Sequence, residues 1–165
     1  MEGHGRPLKM MDFLDALRSV FLIKPFDFSG RASRSEYWWS YLGYMIFSTF
    51  FQFVIIIIMM IPLLLFPETP EVSMIFLLIA LIPVLILIGL PILTVSVRRL
   101  HDVGYSGWWY LLLLIPLANL LFAIAFLILF VSEGNGHENQ YGPVPTNSIE
   151  GLESYYKNDL IKKLM

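Results

Sequence analysis

Arg98-Arg99-Leu100-His101-Asp102-Val103-Gly104-Tyr105-Ser106-Gly107-Trp108-Trp109 is the stretch on which the fold turns. It places two arginines, a histidine, an aspartate, two glycines and two tryptophans between long runs without charge. Val72 to Val97 precedes it, and Val103 to Ser132 begins within it and runs on. A third run, Tyr37 to Pro67, lies further upstream. None of the three contains Asp, Glu, Lys or Arg, and each exceeds the roughly 20 residues needed to cross a hydrocarbon core of about 30 Å. A polar and aromatic knot between such runs has the chemistry of a tight loop at a membrane surface.

Composition agrees with that placement. Hydrophobic residues make up 57% of the 165, and the mean hydropathy is +0.70. An ordinary globular domain is about 45–50% apolar. The formal net charge is −2 and the basic residues are scattered, so no tract suits nucleic acid. Cysteine is absent, which excludes disulfides, thiolate metal sites and a cysteine nucleophile. No cleavable signal peptide is expected, because Asp15 and Arg18 interrupt the apolar stretch from Phe13 to Ile23.

The sequence therefore predicts an all-α polytopic membrane protein, with three transmembrane helices preceded by an amphipathic interfacial helix. The first 36 residues form an N-terminal segment, 37–132 the transmembrane domain, and 133–165 a polar tail. Asp12 to Lys24 has helical periodicity, with Phe13, Leu17, Val20, Phe21 and Lys24 on one face and Asp12, Asp15 and Ser19 opposite. It is too short and too charged to span. It either lies in the membrane interface or packs on the rest of the chain. Asp12 is placed to cap it and Pro25 to end it.

Phe26 to Glu36 is a second polar knot. Ser33 and Glu36 have capping-box spacing, with Glu36 expected to reach back to the helix start. Arg31 and Arg34 stand just before the first span. Trp38 and Trp39, and later Trp108 and Trp109, suit the headgroup level as membrane anchors. The spans are expected at 41–65, 74–97 and 108–131. Pro83 and Pro91 should kink the second. Pro116 and Asn119 interrupt the third, and a re-entrant turn there is the alternative to a single crossing. Ile149 to Leu164 allows a weak surface helix.

Six basic residues precede the first span, Arg98 and Arg99 follow the second, and 133–150 has none. The positive-inside rule then puts the N-terminus and both knots in the cytoplasm, and the first loop and tail outside. With both knots on one face, Glu36 or Asp102 is expected to pair with an arginine of the other knot.

Three groups of residues, in order, carry a family resemblance. Gly30-Arg31, Arg34 and Glu36-Tyr37-Trp38 are the first. Arg98-Arg99, His101-Asp102, Ser106 and Trp108-Trp109 are the second. Asn139, Tyr141-Gly142-Pro143 and Pro145 are the third. They resemble the signatures of the bacterial domain of unknown function 805 family. That family's third signature often has a basic residue where Gln140 stands and an acidic one where Val144 stands. The resemblance implies a small bacterial inner-membrane protein, and no activity.

No catalytic, cofactor-binding or metal site is expected. His101 and Asp102 are adjacent on one turn and share no triad spacing. His4, His101 and His137 lack ligand spacing. The spans hold no ionisable residues of the kind pumps use. The expected function is a membrane-embedded binding or assembly module, not an enzyme. Its polar interface site would comprise Arg31, Arg34, Glu36, Arg98, Arg99, His101 and Asp102. Its partners would be membrane lipids with anionic headgroups, a partner protein or further copies of the chain, and not nucleic acid. An oligomeric small-solute transporter or channel subunit is the alternative.

Overall fold

The structure is a computed structural model, and it describes residues 10–65, 68–116 and 118–147. His4 and the surface helix expected at Ile149 to Leu164 lie outside the described residues.

Two long helices dominate. Helix α1 is short, Phe13–Leu17, and continues as a π-helical stretch, Arg18–Ile23. Helix α2 runs Arg34–Leu65, 32 residues. Helix α3, Pro70–Val84, passes through a π-helical stretch, Leu85–Gly89, into α4, Leu90–Asp102. The prolines explain that stretch. A proline inside a helix removes a donor and crowds the carbonyl four residues earlier, and a wider turn takes up the misfit between Pro83 and Pro91. Arg34–Leu65 and Met74–Asp102 are each long and apolar enough to cross a membrane.

Those two helices are bare over most of their length. Only 6% and 17% of their most apolar 18-residue windows is buried, whereas the core helix of a soluble domain is mostly covered. Ile57, Leu64, Ile79 and Leu87 are all exposed. Apolar surface of this extent needs an apolar solvent.

The core sits instead at one end of the pair. Val20, Ala32, Tyr37, Ile92, Val95, Leu100, Phe126 and Phe130 form it, drawn from the π-helical stretch after α1, the linker before α2, α2, α4 and the last helix. The α1 segment is therefore a packing helix against α2, with the Ser40 hydroxyl donating to the Ala16 carbonyl at 3.1 Å. The π-helical turn changes which side faces inward. Ser19 is buried and Phe21 is partly exposed, where straight helical periodicity put Ser19 on the outer face. Asp12 makes no side-chain cap to the helix; its carbonyl accepts from the Ala16 N–H.

The expected single span at 108–131 does not form. Gly107–Leu114 is a 3₁₀ helix, and Asn119–Val131 is α5, 13 residues long. Ser106 caps the first piece, accepting from the Trp108 N–H at 3.4 Å. The two pieces measure roughly 16 Å and 20 Å, well short of a 30 Å hydrocarbon core. Pro116 has no N–H to continue a helix, and the chain turns there. The arms pack on each other, with the rings of Tyr110 and Phe126 5.8 Å apart. The C-terminal end of the block returns to the end of α4: Arg99 donates to the carbonyls of Phe130 and Ser132. The block is a hairpin, and the tail from Ser132 leaves at the same end of the molecule as the Arg98–Asp102 knot, not at the opposite one.

Candidate functional site

The C-terminal end of α4 is where the three motifs converge. A helix leaves its last four carbonyls without intrahelical partners, and here other segments supply donors. The Asp102 carbonyl accepts from the Asn135 N–H at 2.8 Å, and that of Arg98, just before the last four, accepts from the Ala32 N–H at 3.0 Å. The His101 carbonyl accepts from the Asn139 side-chain amide at 3.0 Å. Leu100 is served by the Tyr105 N–H at 2.9 Å. The helix end is thus capped by one residue from the first motif, its own loop, and two from the tail.

Two buried ionic clusters flank this cap. In the first, Glu36 stands at the start of α2 and α4 brings Arg98 beside it. Arg98 Nη1 donates to Glu36 Oε1 at 3.0 Å, Ser19 Oγ donates to the same oxygen at 2.8 Å, and Lys24 Nζ lies 3.5 Å away. All four residues are at least 95% buried. Burial pulls the Lys24 ammonium below its ordinary range, opposed by Glu36 and reinforced by Arg98. Glu36 Oε2 and Arg98 Nε and Nη2 are buried with no hydrogen-bond partner. Ser33 caps α2 as expected, accepting from the Glu36 N–H at 3.1 Å. The Glu36 carboxylate does not reach back to complete the box; it turns inward to the cations.

In the second cluster, Asp102 lies between Arg31 and Arg99. Arg31 Nε donates to Asp102 Oδ1 at 2.9 Å, and Arg99 Nη1 pairs with Oδ2. The remaining guanidinium donors go to backbone. Arg31 bonds the carbonyls of Asn135, His137 (2.7 Å) and Gly142. Arg99 bonds those of Ala32, Phe130 and Ser132. A side chain on Gly134 would collide with the Asp102 carboxylate, so glycine there lets the tail close over the cluster.

Both pairings between the knots, Arg98 with Glu36 and Arg31 with Asp102, are present. The roles differ from those expected, however. Arg31, Arg98 and Arg99 are buried and paired with carboxylates inside the fold, not displayed as a binding face. Arg34 alone of the four is half-exposed, 3.7 Å from an exposed Glu133. It lines a shallow cavity of about 170 Å³ with Ser33, Ser35, Asn135 and Asn147. His101 and Asp102 face apart. The His101 ring stacks on Tyr141 at 3.9 Å, and its Nδ1 meets the Gly30 carbonyl at 3.1 Å. Trp39, Trp108 and Trp109 are exposed and Trp38 is half-buried against the core.

Sequence reasoning missed Ser19 and Lys24 as members of the first cluster. One signal was available: Lys24 falls on the apolar face of its helix, where a charge needs a partner. Among the described residues, no group of three His, Asp or Glu side chains is placed to hold a metal ion.

Comparison with known proteins places this arrangement. The family model described as "Protein of unknown function (DUF805)" matches residues 25–143, the interval that contains the pairs of Arg98 with Glu36 and of Arg31 and Arg99 with Asp102; Lys24 falls just before it. The chain is 39% identical over 118 residues to "Inner membrane protein YhaI" of Escherichia coli (strain K12), covering 72% of this chain and 85% of that protein. It is 33% identical over 118 residues to "Inner membrane protein YhaH" of the same organism, covering 72% and 86%. No solved structure matches.

Proposed function

The chain belongs to the family of proteins of unknown function DUF805, and from that premise we propose that it is an inner-membrane binding and assembly module. In this reading α2 and the continuous α3–α4 helix cross the bilayer. The hairpin dips into the cytoplasmic leaflet, and N-terminus, both knots and tail share the cytoplasmic face. The names of the two relatives support the inner membrane. The concentration of basic residues before α2 and after α4 supports the orientation.

The observation that carries the reading is the rigid polar platform at one end of two bare helices. Its interior holds four cations, Lys24, Arg31, Arg98 and Arg99, against the carboxylates of Glu36 and Asp102. That excess of positive charge, with the half-exposed Arg34 at its edge, attracts anionic lipid headgroups. The pair of Arg34 with Glu133 is exposed and weak, so a phosphate can replace the carboxylate. The spans bring no charged residue to a pore, which disfavours a transporter.

The test is lipid selectivity of the purified full chain in mixed vesicles. Wild type is expected to enrich phosphatidylglycerol over phosphatidylethanolamine in its lipid shell, and Arg34→Ala to lose roughly twofold to fivefold of that preference with the fold intact. An unchanged preference, or solute flux through the reconstituted protein, would count against the module reading.

A further inference from the structure

A second cavity, of about 510 Å³, lies on the other side of α4 from the ionic clusters. Leu93 and Val97 of α4 form one wall, and Trp108 and Leu111 of the hairpin form the opposite one. His101 and Tyr141 close its polar end. Its volume falls within the range of small-molecule sites, which are largely apolar with a few placed polar groups.

Three observations define what fits. The lining is apolar except at one end, so the occupant has an apolar body and one polar tip. Trp108 and Leu111 are 79% and 51% exposed, so the cavity borders the surface that the hairpin presents to its surroundings. When the hairpin lies in a bilayer leaflet, those surroundings are lipid. The polar end offers an acceptor. His101 Nδ1 faces the Gly30 carbonyl at 3.1 Å, and a carbonyl accepts only, so in the neutral ring the proton sits on Nδ1 and Nε2 carries a lone pair. Nε2 lies on the cavity side, 3.4 Å from where a Cβ on Gly107 would stand. Among the described residues it has no hydrogen-bond partner. Any side chain at Gly107 would also strike Val97, so glycine sets the hairpin's approach to α4.

We infer that this cavity binds one bilayer lipid, with its chain between α4 and the hairpin and a head hydroxyl donating to His101 Nε2. The inference rests on the hairpin lying in the membrane, and it does not need the Arg34 site. Stacking on Tyr141 fixes the imidazole plane. The occupant therefore ties the tail, the hairpin and α4 together at one point.

The experiment is native mass spectrometry of the full chain released from detergent micelles, with 1,2-dioleoylglycerol and its 3-acetyl ester as probes. The two share their chains and differ in the free hydroxyl. Wild type is expected to retain the free alcohol roughly fivefold better than the ester, the worth of about one hydrogen bond. His101→Phe keeps a ring against Tyr141 and is expected to bind both equally. Leu111→Trp fills the cavity from its exposed wall, where a larger side chain does not strain the fold, and is expected to lose both. Equal retention of the two probes by wild type, or unaltered binding by Leu111→Trp, overturns the inference; the latter leaves a protein segment as the occupant. Arg34→Ala separates the two proposals: it is expected to lose phosphatidylglycerol preference while keeping dioleoylglycerol.

Discussion

Glu36 and Asp102 each hold two buried cations, yet the donors left over in the two clusters end differently. Around Asp102, the spare guanidinium donors of Arg31 and Arg99 reach backbone carbonyls of the tail, the hairpin and the linker before α2. Around Glu36, Arg98 keeps two buried nitrogens unmatched, and the second carboxylate oxygen has no partner. The first cluster joins helix to helix, and the second joins irregular chain to helix. Loop segments supply carbonyls that side chains can meet. Helix interiors, whose carbonyls are already bonded, offer few; Phe130 supplies one from the last turn of α5. The difference follows from what each arginine packs against.

The largest effect should come from removing the anion that serves the unsatisfied cluster. Glu36→Gln leaves Lys24 and Arg98 buried without a counter-charge, a loss of about 3–5 kcal/mol. Unfolding in detergent micelles reads it. Arg98→Met should be milder, because Lys24 still neutralises Glu36; equal losses would break the comparison. Arg31→Met comes next, at about 1–3 kcal/mol. Its damage should be local, with the segment 133–147 cut faster by protease while α1 stays docked. A global loss there would mean that both clusters act as one.

The smallest effect is a pH slope. The Lys24 ammonium is held below its ordinary range mainly by burial. Between its folded value and the unfolded one near 10.5, the unfolded chain binds more protons, so stability rises with pH across that window. Wild type should gain on Lys24→Met as pH rises toward the unfolded value near 10.5. A difference flat with pH would show that Glu36 fully offsets the burial.

Much of this was legible in the residues. Uncharged runs revealed the two long helices, and spacing revealed the Ser33 cap and the meeting of the two knots. The third apolar block misled because composition reports length, not continuity. Pro116 and Asn119 marked the break, but only the contacts of Phe130 and Ser132 with Arg99 reveal which face the chain returns to. The arginines were legible as a group and not as buried ones. Arg-rich ends of apolar runs usually meet lipid, and nothing in spacing tells a headgroup from a tail carbonyl. Ser19 escaped because a π-helical turn shifts the register that periodicity assumes constant.

The reach of Arg31 also sets an order of assembly. It precedes Asp102 by 71 residues and the Asn135 carbonyl by 104. During synthesis both long helices emerge before the last of these partners exists. A nascent chain halted near Ser132 would carry Arg31 and Arg99 toward a closed interior without the oxygens that receive them. The tail motif thus works as the final stitch, and a chain that stops short of it leaves the seam open.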